Sequence, residues 1–140
     1  MKVIGFTGTQ TGMSSQQYDA VMSYLSLYKT GGAEIFHHGD CIGADMQAHR
    51  IAERLGYDII IHPPTNPLKQ ANCVSKTILA PLPYKVRNRA IVDASEIILA
   101  TPRGAEASYP YSGTWATVRY ARNVGKPVVV IFPGGVVTTF

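Results

Sequence analysis

Short apolar runs and amphipathic stripes alternate along this chain from its start. Lys2 to Thr7 is near-continuously apolar, as buried parallel strands are, and ends in the loop Gly8-Thr9-Gln10-Thr11-Gly12. Ser14 and Gln17 have capping-box spacing. Behind them Tyr18, Val21, Met22, Leu25 and Tyr28 draw one apolar stripe down a helix that stops at Gly31-Gly32. A second unit repeats the plan: strand Ile35 to His38, a turn relieved by Gly39 and Gly43, and a helix from Gly43 to Leu55 closed by Gly56. Tyr57 to Ile61 is a third apolar strand. The spacing then predicts a helix from Pro83 to Ala94, a strand from Glu96 to Thr101, a helix from Gly113 to Asn123 and a strand from Val128 to Phe132. Regular structure is expected to end at Pro133-Gly134-Gly135.

Two segments interrupt this rhythm. His62 to Leu82 carries Pro63, Pro64, Pro67 and Pro81 around a polar centre, and Pro102 to Ser112 is also long for a connection. Long ordered loops in compact domains tend to be functional. Strands alternating with helices imply an α/β fold: a Rossmann-like, doubly wound, parallel five-stranded sheet in the order 3-2-1-4-5, with helices on both faces and right-handed crossovers. Ligands of such sheets bind at the carboxyl ends of the strands where the winding reverses, here between the first and fourth strands. Loops Gly8 to Gly12, Gly39 to Gly43 and Pro102 to Thr114 all emerge on that edge.

Composition narrows the ligand. The chain has 140 residues, 46% apolar and 16% charged, which suits one well-buried domain and excludes a disordered chain. A net charge of +4 and a pI near 9.2 permit an anionic ligand, but the basic residues form no continuous stripe. Small phosphorylated ligands therefore suit it better than nucleic acid. Cys41 and Cys73 are too few and too isolated for a disulfide framework or a zinc site, so no metal and no cofactor is expected. A reducing cytoplasm is the simplest setting. No apolar run approaches membrane-spanning length.

Candidate chemistry gathers at the helix starts. Ser112-Gly113-Thr114 offers backbone amides and two hydroxyls for a phosphate facing Gly8-Thr9, or simple capping by Ser112. Arg87 and Asn88, followed by Arg89, begin the third helix beside the switch point, where an arginine suits a two-pronged phosphate clamp. Asp45 fits the first turn of its helix electrostatically. His37 and His38 point to opposite faces of a strand, so at most one reaches the crevice and a metal site from the two is not expected. Cys41 lacks an evident base partner. Tyr109 and Tyr111 are placed to stack on a base, whereas Trp115 suits a core or a subunit interface.

Taken in order, Gly8-Thr9-Gln10, Gly39-Asp40-Cys41-Ile42-Gly43-Ala44-Asp45, Arg87-Asn88 with Ile91-Val92, and Ser112-Gly113-Thr114 resemble the Rossmann-like superfamily of Lonely-Guy and DprA/Smf proteins, over nearly all the chain. The resemblance is to its small bacterial and phage members. It implies binding of a small-molecule nucleotide through Gly8, Thr9, Gln10, Gly39, Gly43, Asp45, Arg87, Asn88, Ser112, Gly113 and Thr114. It also implies cleavage of a nucleoside 5'-monophosphate to base and ribose 5-phosphate, or non-catalytic nucleotide sensing. Three departures bear on this: Thr117 stands where those enzymes carry a catalytic glutamate, Asp40 replaces a usual glycine, and the fourth loop is extended by Arg103 to Tyr111. Asp40, Asp45 and Glu106 are the carboxylates available to substitute, with Asp40 the leading candidate and Arg87 beside the ribose phosphate. Homo-oligomers are common in the superfamily. The residues Tyr84, Val86, Trp115, Val118 and Tyr120 lead us to expect a homodimer or larger assembly.

Overall fold

A computed structural model describes all residues 1–140. Strands β1 (Val3–Gly8), β2 (Ile35–His38), β3 (Asp58–Ile61), β4 (Thr77–Ile78), β5 (Ile97–Thr101), β6 (Val128–Ile131) and β7 (Val137–Thr139) alternate with helices α1 (Ser15–Thr30), α2 (Ala44–Arg54), α3 (Tyr84–Ala94) and α4 (Gly113–Asn123). The sheet order is β4-β3-β2-β1-β5-β6-β7, so the five expected strands take the expected order. Two short strands are additional. β4 pairs parallel to β3 from within the long proline-rich loop, and β7 folds back antiparallel on β6 beyond Gly135, so regular structure does not end there. Neither has a run long enough to announce itself, since two or three residues carry no periodicity.

The central strands are buried on both faces, and their alternation divides the core in two. Ile97 and Leu99 of β5, with Val129 and Ile131 of β6, join the cluster under α1 and α2. Ile98, Ala100, Val128 and Val130 join Trp115, Val118 and Ala121 under α3 and α4. Trp115 is 4% exposed and Val118 fully buried, so the apolar residues of α4 fill the core and offer no docking face. Tyr120 is half-buried, and its hydroxyl donates to Asp93 Oδ1 at 2.8 Å. Val86 of α3 is exposed, as are Leu68, Val74, Ile78 and Leu79 in and around β4.

Polar side chains fix the carboxyl edge. The capping box of Ser14 and Gln17 is formed. Gln17, buried, also donates through Nε2 to Pro102 O at 2.8 Å and Ile131 O at 2.9 Å, tying the start of α1 to the ends of β5 and β6. No helix is long and apolar enough to cross a membrane.

All four histidines are buried, in two pairs on opposite sides of β2. His37 Nδ1 lies 2.7 Å from His62 Nε2, and His38 Nε2 lies 2.9 Å from His49 Nδ1. Burial above all pushes His37 and His62 down to about 4 and His38 to about 3, and lowers His49 as well. The unfolded chain takes up these protons near pH 6.5 while the folded one refuses them, so stability falls as pH drops below 6.5. Asp45, raised to about 6, opposes this with a single proton between pH 6 and 4. We expect the melting temperature to be lower at pH 5 than at pH 7 by at least roughly 5 °C. Equal melting temperatures would show that these histidines can charge inside the fold.

Candidate functional site

A cavity of about 640 Å³ opens at the carboxyl edge where the winding reverses. Gly8, Thr9 and Gln10 of the first loop, Gly39 and Asp45 around the start of α2, Arg87 and Asn88 of α3, and Ser112, Gly113 and Thr114 at the start of α4 line it. Gly43 and Asp40 do not line it. The long loops add Asn66, Leu68, Lys69, Arg103 and Tyr109. Their only signal in the sequence was the length of the two loops, together with the aromatic character of Tyr109. Tyr111 is 98% exposed and lies outside.

The start of α4 leaves several donors free. Ser112 Oγ accepts from Trp115 N at 3.1 Å, and Ser112 O accepts from Ala116 N at 3.0 Å. The amides of Gly113 and Thr114 are left without a protein acceptor at the positive end of the helix. Thr114 is only 6% exposed, yet its hydroxyl has no hydrogen bond within the protein. Asn88 Oδ1 accepts from Arg87 Nε at 2.7 Å, which turns its amide donor toward Gly113.

Across the cavity, the turn from β2 into α2 is locked to the first loop. Gly43 has φ +84°, and a side chain there would place Cβ 2.3 Å from Gln10 O. Ala44 N donates to Thr9 O at 3.0 Å. Gly43 thus serves the site by letting two loops touch, which explains its absence from the lining. Asp45 Oδ2 accepts from Gly39 N at 3.1 Å and Cys41 N at 3.2 Å. Its Oδ1 accepts nothing from the protein, although Asp45 is 4% exposed and faces the cavity. Burial pushes its carboxyl up to about 6 against the pull of Arg87 and the two amides.

Arg87 differs from the expected two-pronged clamp. Buried at 3% exposure, it donates through Nε to Asn88, through NH1 to Gly39 O and to His62 O at 3.1 Å, and through NH2 to Cys41 Sγ at 3.6 Å. Of its five N–H groups one remains for a ligand. No carboxylate lies within salt-bridge distance, so this buried charge is balanced by dipoles, the Tyr84 ring at 5.3 Å and the more distant Asp45.

Asp40 does not reach the ribose side of the crevice. At φ +56° its side chain turns to the long loop, where Oδ1 accepts from Cys73 N at 2.8 Å and Oδ2 from Gln70 Nε2 at 3.1 Å. Its carbonyl accepts from Ala71 N at 2.7 Å, and Ile42 N donates to Lys69 O at 2.9 Å. Asp40 therefore staples the segment that brings Asn66, Leu68 and Lys69 to the cavity. Glu106 pairs with Arg119 at 2.9 Å, outside the lining. Thr117 is buried and its hydroxyl donates back to Gly113 O at 2.8 Å, so α4 presents no group from that position.

His38, His49 and Cys73 bring three ligand atoms within 4.8 Å of one another. Asp40 N donates to His38 Nδ1 at 3.0 Å, which places the proton of neutral His38 on Nε2, the atom a metal would need. The cluster is therefore a hydrogen-bond chain from Asp40 N through His38 to His49. Cys41 lines the cavity, but burial pushes its thiol up to about 11, against a nucleophilic role.

Removing Arg87 leaves the buried His62 carbonyl without a donor and Gly39 O with only the weak Cys41 thiol, and a buried acceptor left unpaired costs about 1–3 kcal/mol. Arg87→Ala should lower the unfolding free energy in urea by at least about 2 kcal/mol; a loss under about 0.5 kcal/mol would deny its role as a tether. For Asp40→Ala we expect amide exchange at Ala71 and Cys73 to accelerate at least roughly tenfold while β1 and β5 amides keep their protection. Uniform exchange across both regions would count against the staple.

No family model matches the chain, and no curated protein does. Solved structures do. The molybdenum cofactor binding protein of Rippkaea orientalis is similar with a TM-score of 0.71 and 19% identity, over 94% of this chain and 76% of that one. A Moco carrier protein from Chlamydomonas reinhardtii gives 0.63 and 21%, over 92% and 75%. DNA processing protein A from Helicobacter pylori, described with a single-stranded DNA binding mode, gives 0.64 and 16%, over 91% and 63%. At these identities the likeness is one of architecture: the chain has the Rossmann-like fold that these proteins share.

Proposed function

We propose that the cavity binds a nucleoside 5'-monophosphate, with the phosphate on the Gly113 and Thr114 amides, and hydrolyses its N-glycosidic bond. The observation that carries the binding is the pairing of open donors with uncompensated positive charge. Two helix-start amides, the Thr114 hydroxyl and one Arg87 N–H lack partners, and Lys69, Arg87 and Arg103 face Asp45 as the single lining carboxylate. An anion supplies what each of these groups lacks. Tyr84 and Tyr109 also line the cavity, each with a guanidinium over its ring at 5.3 Å, from Arg87 and Arg103 respectively. The hydrolytic step rests on the superfamily resemblance of the four motifs.

One observation favours a second reading, a non-catalytic nucleotide sensor: Thr117 is buried and bonded to its own helix, so the family glutamate has no replacement at its own position. Both readings go with the unpaired state of Cys41 and Cys73 and with a cytoplasmic setting. Self-association into a homodimer or larger assembly is part of the proposal, through the exposed apolar residues around β4 instead of α4. Sedimentation at micromolar concentration reads it directly.

Thr114→Val keeps shape and removes one hydroxyl. A hydrogen bond to a charged group contributes ~1.5–3 kcal/mol, so calorimetry should show affinity for nucleoside monophosphates falling roughly tenfold or more. The panel should include the molybdenum cofactor, because similar structures are described as binding or carrying it. Unchanged affinity in Thr114→Val would remove the phosphate from α4.

A further inference from the structure

We propose that Asp45, and not Asp40, is the catalytic carboxylate of this site, taking a proton from the attacking water and countering the positive charge that develops on the ribose. This rests on the hydrolytic reading above. Asp45 is the one carboxylate among the residues lining the cavity. Oδ2 is held by the amides of Gly39 and Cys41, which fixes the plane of the group, while Oδ1 faces the cavity with no donor from the protein. Oδ1 is accessible, since the one buried side-chain polar atom left without a partner is Thr101 Oγ1, so it is open to a ligand or a bound water. Asp40, by contrast, has both oxygens occupied by the long loop, and Thr117 is turned into α4.

The step balances without a co-reactant. Oδ1 removes a proton from water as the water oxygen bonds to C1' of the ribose. The C1'–N bond breaks, and its electron pair stays on the base nitrogen. That nitrogen then takes the proton from Asp45, giving free base, ribose 5-phosphate and the ionised carboxylate again. A carboxylate in this role is active ionised, so turnover should rise with pH as Asp45 ionises, near 6 and not near the ordinary value of about 4. The groups facing it are Arg87 from α3, Asp40 and Cys41 from its own turn, and Cys73 from the long loop. Of these, Arg87 pulls it down and Asp40 pushes it up, and burial outweighs both.

Asp45→Asn is the test, because the amide oxygen can keep the Gly39 and Cys41 amides while its nitrogen faces the cavity. With a panel of nucleoside monophosphates, free base is followed by chromatography from pH 5 to 8, and ribose 5-phosphate binding is measured by calorimetry. We expect Asp45→Asn to bind ribose 5-phosphate within about threefold of the parent, to lose at least ~10²-fold in turnover, and to lose the acid limb near pH 6. Asp40→Asn should keep that limb. A parent that turns over and an Asp45→Asn that matches it in rate and pH profile would overturn the assignment of Asp45 alone. A parent that binds ribose 5-phosphate but releases base from no nucleotide would overturn the hydrolytic reading and Asp45's role with it.

Discussion

A buried guanidinium with no carboxylate at salt-bridge distance is the constraint on which the site depends. Arg87 rises from the first turn of α3 and holds the carbonyls of Gly39 and His62, the ends of β2 and β3, with a single side chain. Moving a charge out of water costs several kcal/mol, and dipoles alone repay it only in part. The arrangement persists because the same group fixes three elements at once. A Cβ at Gly39 would lie 2.6 Å from NH1, so a side chain there would push the guanidinium off these carbonyls. The incomplete neutralisation also leaves the cavity electropositive. One group thus links the packing of the sheet edge to the class of ligand that edge can hold.

Opposite Arg87, the turn from β2 into α2 converts local backbone chemistry into a site. Asp45 satisfies amides of its own turn with one oxygen and spends none of the other on the protein. Asp40, five residues earlier, spends both on the long loop. Two carboxylates on one turn thereby acquire separate surroundings, one holding the segment that carries Lys69 and one facing the cavity.

The sequence made the sheet legible because its central strands are buried on both faces and read as unbroken apolar runs, with glycines and prolines marking where each helix stops. The convergence of loops at the switch point followed from the order of strands alone, and ten of the expected ligand-lining residues do line the cavity. Side-chain direction was not legible. Asp40 sits at positive φ, which turns its carboxylate toward residues 70–73, some thirty positions away in the chain, and no local pattern encodes that. The pairing of all four histidines was hidden for the same reason, since His37 meets His62 and His38 meets His49 only once β2, β3 and α2 are packed. Trp115 and Val118 looked like surplus apolar surface until the second core claimed them.

Amide chemical shifts report whether the start of α4 receives an anionic group of a nucleotide. Titration with ribose 5-phosphate should shift the Gly113 and Thr114 amides together with those of Gly8 to Thr11, saturably, as the free N–H groups gain an acceptor. Saturable shifts confined to other parts of the surface, with the Gly113 and Thr114 amides unmoved, would place the anion away from α4.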